Sequence, residues 1–210
     1  MQAHFSTQFV GVASIAAQLS AVLAVAKEIS LAAANAKAIA FRAGEKARGF
    51  QPITDFINDL AKETMVKVHA INHNALDLYQ LTVSDHRAHF AYQKLCQAEQ
   101  LARSTPHHQS LLSARLQAEQ RAKACEAQFQ RYVVRLLDQL QEVKNPARAA
   151  RVIAANSRIE ASQAGEYLQS LQAVAESVDK AAQVIHDNVQ RCCTALSAMY
   201  KEQAEAGVIL

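Results

Sequence analysis

Three features of this sequence predict an all-α protein built as an elongated antiparallel four-helix bundle or coiled coil. Turn formers are scarce, with 5 Gly and 3 Pro in 210 residues, whereas a sheet protein of that length needs turn residues at many strand ends. Half of the chain is apolar, there is no Trp, and Ala, Gln and Leu are the commonest residues, all of which lose little on entering a helix. Apolar residues also recur at alternating steps of three and four over four long stretches, the seam period of packed helices. At this length a single domain, 1–210, is the expectation.

The first helix is placed over 4–43 by a stripe of Phe9, Val12, Ala16, Leu19, Leu23, Ala26, Ser30 and Ala33. The N-terminal run lacks a basic start and is interrupted by Gln18 and Ser20, so it reads as an amphipathic core helix and not as a leader or a membrane span. Gly44 and Gly49 bracket a short turn, since Gly at a helix end removes the steric cost of a left-handed residue. The second helix follows on Phe50, Ile53, Ile57, Leu60, Thr64, Ile71, Ala75 and Leu78, and continues on a thinner alanine seam through Ala88, Ala91, Leu95, Ala98 and Ala102. Pro52 is compatible with the first turn of that helix.

Pro106, within Ser104-Thr105-Pro106-His107-His108, holds Thr105 extended and ends the second helix. This turn is expected to be a replaceable linker. The third helix resumes near Gln109 on Cys125, Phe129, Val133, Leu136, Leu140, Val143, Ala147, Ala150 and Ala154. Pro146 leaves the phase of that stripe intact and reads as a kink. The fourth helix carries Leu168, Leu171, Ala175, Val178, Ala182, Ile185, Val189, Cys192, Leu196 and Met199 without a break.

An internal repeat organises these helices. Residues 33–45, AANAKAIAFRAGE, return at an offset of 121 as AANSRIEASQAGE, with seven of thirteen positions identical. Repeats are read before anything else, and this one divides the chain into hairpins 1–105 and 106–210. Folding back at Pro106 puts both Gly-containing tips at one end. The result is a single-chain pseudo-dimer with a pseudo-twofold axis and no need of a second subunit. At 1.5 Å per residue the inner helices would span roughly 85–90 Å and the outer pair roughly 60 Å, so the turn end would thin to two strands.

Composition excludes several functions. A net charge of +3 with no basic block gives nucleic-acid binding no support. Cys96, Cys125, Cys192 and Cys193 fit neither a zinc spacing nor a disulfide scaffold and read as reduced thiols, one of the vicinal pair on the stripe and one outside it. That favours the cytoplasm. His69 with His73 and His86 with His89 have metal-compatible spacing but no third ligand on the same turn, so they read as solvated pairs. There is no Gly-rich phosphate loop and no Glu-x-x-His pair for a di-iron site. No cofactor, metal or catalytic residue is expected, and the chain reads as a non-enzyme.

The stretch from Leu31 through Asn35, Arg42, Gly44, Glu45, Arg48, Gly49 and Phe50 to Leu60-Ala61 resembles the cytoplasmic signalling tip of bacterial chemoreceptors (methyl-accepting chemotaxis proteins). The second copy resembles that tip independently, through Asn156, Ile159-Glu160-Ala161 and Ala164-Gly165-Glu166. The resemblance implies a soluble signal-transduction protein that mimics the tip and binds a CheW-like adaptor, a CheA-like histidine kinase or chemoreceptors in arrays. Carried over by position, Arg48, Phe50 and Ile53 would form the adaptor side of the first tip, whereas Gln169, Ser170 and Leu171 match poorly in the second. For packing against neighbouring receptors the family uses an Asn and a Glu–Arg pair. The first copy keeps Asn35 and Arg42 but has Ile39 for the Glu; the second keeps Asn156 and Glu160 but has Gln163 for the Arg. Glu45 and Glu166 complete the candidate set. The outer helices are too short to reach the family's methylation sites, and a receptor's sensor domain and membrane span have no counterpart here. The competing reading is a structural helical scaffold or coat protein, which gives no reason for the Ala-Gly-Glu turn to occur twice.

Overall fold

The computed structural model describes the backbone of residues 2–102 and 108–207, and the surroundings of side chains 10–102 and 109–203. Four long helices pack against one another: α1 (Gln2–Ala43), α2 (Phe50–Ala102), α3 (His108–Ala161) and α4 (Leu168–Gly207), and the described residues contain no strand. The Pro106 turn lies outside the described residues. Pro52 stands exposed in the first turn of α2, and α3 runs through Pro146 without a break.

Contacts divide the chain into two compact units that cut across the hairpins, each drawing on all four helices. The first comprises Met1–Ala13, Asn74–Leu136 and Ala195–Leu210, and the second Ser14–His73 and Leu137–Thr194.

In the second unit the inner face of α1 is Ile15, Leu19, Val22, Ala26, Ile29, Ala33, Ala36 and Ala40. This corrects the stripe expected from sequence: Ala16 is exposed, and Leu23 and Ser30 are only half-buried. Because α1 is apolar on most sides, two seams of the same period compete, and packing selects the one richer in β-branched residues. On α2 the buried positions are Phe50, Thr54, Ile57, Ala61, Thr64, Val68 and Ile71, with Ile53 and Leu60 on the half-buried flanks. Hydroxyls enter this core because their own helix satisfies them. Thr54 Oγ1 donates to the Gln51 carbonyl at 2.7 Å, Thr64 to Leu60 at 2.8 Å and Ser157 to Ile153 at 2.7 Å. The α3 and α4 stripes are buried as the sequence predicts, from Leu140 to Ala154 and from Leu171 to Cys192. Cys193, expected outside, is buried as well. The Cys192 thiol faces the Ile15 carbonyl at 3.9 Å, and burial pushes it up to about 12, so neither a thiolate nor ready exchange is favoured there.

The first unit has the more polar interior. Asp85 on α2 is buried and accepts a 2.7 Å hydrogen bond from Gln203 Nε2 on α4. One turn on, His89 Nδ1 lies 3.4 Å from Asp85 Oδ1, and bonding to that carboxylate raises the imidazole above its ordinary value. His89 is therefore not the solvated residue its spacing suggested. Tyr132 donates to Asp77 at 2.8 Å. Past Ala88 on α2 and before Ala122 on α3 no described side chain is fully buried. Leu95, Ala98, Ala114 and Ala118 are half-buried there, and Arg115 Nε pairs with Glu99 at 2.7 Å.

Candidate functional site: the paired hairpin tips

Each hairpin turns on one left-handed glycine. Gly44 has φ 58° and Gly165 φ 60°, and no other described residue has positive φ. Gly49, expected to share that role, has an ordinary φ. At the first tip α1 runs to Ala43 and a 3-10 turn, Gly44–Ala47, leads into α2. At the second tip α3 ends three residues sooner in the repeat frame, at Ala161. The cause is local. Ser162 stands where the first copy has Phe41, and its hydroxyl donates to the Ile159 carbonyl at 2.6 Å while its N–H bonds that carbonyl at 3.1 Å. Such local bonding draws the backbone out of the helix into i→i+3 turns.

The two tips share one core. Ala36, Ala40, Ala47 and Phe50 of the first cluster with Ala161, Ala164 and Leu171 of the second, flanked by Ile39, Tyr167, Leu168 and Val174. Alanine lets the helices and turns approach closely, and Phe50 and Leu171, both at repeat-related positions, supply the bulk. Phe50 is 1% exposed. It is therefore a packing residue, and a direct partner contact through it, expected from sequence, is not available in this conformation. Ile53 is half-buried at the edge.

Glu160 is also placed differently from expectation. Its carboxylate reaches across to the first tip and lies over Gly49, where an added Cβ would sit 2.9 Å from Glu160 Cδ and closer still to Oε2. Gly49 is thus tied to close approach of the other hairpin and not to turn geometry. The turns themselves meet as well: a Cβ on Gly165 would stand 3.9 Å from Cδ of Lys46.

The remaining candidates face solvent. Asn35 and Asn156 are exposed at equivalent positions, as are Glu45 and Glu166, and Arg42 and Arg48 are exposed on the first tip. Arg48 Nη1 lies 3.4 Å from Glu45 Oε2, with side chains 78% and 86% exposed, so this ion pair contributes little to stability. The first tip carries Arg42, Lys46 and Arg48 against one acid, Glu45; the second offers Glu160 and Glu166. One tip is cationic and the other anionic.

Large apolar side chains stand exposed on the same helices: Phe41 at 80% and Ile159 at 63% next to these charges, and Leu31, Phe56 and Val152 at 63–64% about two to four turns farther along. The sequence reading missed them as a group. Their signal was available, since each falls out of phase with its helix's inner stripe. Among the described residues no group of three or more His, Cys, Asp or Glu is placed to hold a metal. The arrangement offers charge and apolar contact at one end of the hairpins, a surface suited to binding another protein. Comparison with known proteins finds no matching family model, no curated relative and no solved structure.

Proposed function

We propose that the chain is a non-enzymatic signal-transduction protein whose paired tips form a docking surface, a soluble mimic of the chemoreceptor signalling tip. Its partners are a CheW-like adaptor, with a CheA-like kinase or chemoreceptor arrays as further partners, and it works in the cytoplasm without a cofactor. The observation that carries this reading is the meeting of two repeat-related Ala-Gly-Glu turns in one core, with their charged residues left outside it. A scaffold whose only task is to pack helices has no need for two such turns side by side, one cationic and one anionic.

Within this reading the first tip docks the adaptor through Arg48 and the half-exposed edge of Ile53, with Phe50 holding that edge from beneath. Asn35, Arg42 and Glu45 on the first tip, and Asn156 and Glu166 on the second, face neighbouring receptors. Glu160 braces the two tips.

Arg48→Glu is the direct test. Arg48 is a surface residue in a weak pair, so the substitution should change stability by no more than about 0.5 kcal/mol. Titration calorimetry with a purified CheW-like adaptor should show binding to the wild type and to Gln169→Glu, and none to Arg48→Glu. Equal binding by all three proteins would exclude the first tip, and no binding by the wild type would leave the tips without their adaptor role.

A further inference from the structure

We propose that the outward face of α1 is a self-association surface, on which α1 of a second copy of this chain packs antiparallel. Opposite its buried seam, α1 carries a second three-four repeat, all of it exposed. Its N-terminal half is small (Ala17, Ser20, Ala24) and its C-terminal half ends in bulk, Leu31 at 64% and Phe41 at 80% exposure. The fold does not require this. At the offset of 121, on the equivalent helix α3, Asp138, Gln141 and Asn145 occupy the positions of Ala17, Ser20 and Ala24, equally exposed. Val152 and Ile159 keep an apolar character at the equivalents of Leu31 and Ala38, so what is particular to α1 is the uncharged, small half of the face beside the bulky one; an unpartnered apolar face marks an interaction site.

Self-complementarity identifies the occupant. An antiparallel copy centred between Lys27 and Glu28 lays Leu31 over Ala24, Ala38 over Ala17 and Phe41 over Ser14. The two bulky residues, Leu31 and Phe41, each meet a small one, and the alanine-on-alanine layer between them permits close helix approach. Lys27 and Glu28, both exposed, then face Glu28 and Lys27 of the second copy, which supplies reciprocal charge pairs beside the twofold axis. A parallel pairing would instead set Phe41 on Phe41 and Lys27 on Lys27. A lipid surface fits less well. By length and composition, Val10–Ala47 could cross a membrane, but its inner seam is packed in the bundle core. The outer N-terminal half offers Ala and Ser, whose small apolar area gives little drive to enter an interface. This association joins two complete bundles and does not depend on the adaptor reading.

Sedimentation velocity of the full chain from micromolar to millimolar concentration tests it, with circular dichroism as the folding control. The wild type and Val152→Lys, the equivalent site on α3, should dimerise alike. Leu31→Lys should weaken dimerisation by at least about tenfold, close to 1.4 kcal/mol, with unchanged helicity. Lys27→Glu should weaken it too, and Lys27→Glu with Glu28→Lys should restore it. A wild type monomeric at every concentration would overturn the proposal, as would equal damage from Val152→Lys or failure of the double charge swap to restore the dimer. Co-sedimentation of a monomeric wild type with anionic vesicles would assign the face to lipid instead.

Discussion

Over residues 12–82 and 133–203 the two hairpins can be compared position by position at an offset of 121. Val12, Leu19, Ala26 and Ala33 are buried in the first, and Val133, Leu140, Ala147 and Ala154 in the second; Ile57, Thr64, Ile71 and Leu78 answer to Val178, Ile185, Cys192 and Met199. Polar links between neighbouring helices repeat as well. Ser30 Oγ donates to Asn58 at 2.8 Å, and at the equivalent positions Arg151 reaches Asp179 at 3.4 Å, joined by Arg158 at 2.9 Å. At half-buried positions on the flanks of the seams the match ends. Gly11 lies against Met199, whereas its equivalent Tyr132 is a hydrogen-bond donor to Asp77. Ile39 packs in the tip core, whereas its equivalent Glu160 covers Gly49. A symmetric dimer must use one sequence for both halves. A fused pair needs to keep only the inner pattern, so the positions flanking it are free to take a different chemistry in each half.

Among the turn and surface-link positions, the turn glycines should be the most costly to change. Gly44 and Gly165 have nearly the same φ, and neither is crowded by a contact that an added methyl would break. Gly44→Ala and Gly165→Ala should therefore each cost about 1–2 kcal/mol, the strain of a left-handed L-residue, and agree within roughly 0.5 kcal/mol. Urea midpoints would measure both. A large effect at one tip and none at the other would break the equivalence of the turns.

A smaller effect separates the helix links by pH. Hydrogen bonding to Arg158 first, with Arg151 adding to it, holds the Asp179 carboxyl below its ordinary value. A depressed carboxylate contributes stability above its unfolded pKa and loses that contribution as pH falls through the folded one, here below about pH 4. Asp179→Asn should thus cost about 0.5–1 kcal/mol at neutral pH, as for a partly exposed pair, and progressively less as acid protonates the carboxylate below about pH 4. Asn58→Ala, which breaks the neutral link of the first hairpin, should show the same cost across that range. A pH-independent loss in Asp179→Asn would mean that the guanidinium pairing contributes nothing.

How much of this was legible in the sequence depended on contrast between the faces of each helix. On α3 and α4 polar residues surround a single apolar seam, and the buried positions follow the predicted stripe from Phe129 to Ala154 and from Leu171 to Met199. On α1 the outer face is apolar too, so Ala16 and Leu23 read as well as Ile15 and Val22, and only packing against the other helices separates them. Thr54 and Thr82 were passed over because a hydropathy pattern does not credit a hydroxyl bonded to its own helix. At the tips, Gly44 and Gly165 were legible as turn formers from the repeat alone. The placement of Glu160 over Gly49 was not, because a contact between hairpins leaves no periodicity along either one. The same holds for Asp85 and Gln203, which meet from α2 and α4.

The central claim is that the two tips lie together, and the distance between them tests it most directly. Spin labels at Lys46→Cys and Glu166→Cys, in a chain with Cys96→Ser and Cys125→Ser to remove the half-buried thiols, would report it by pulsed electron resonance. Tips that share one core should give a narrow distribution within about two helix diameters, roughly 20 Å. Hairpins laid end to end would separate the tips by at least the 53-residue length of α2, on the order of 80 Å at 1.5 Å per residue, and that result would contradict the paired-tip account.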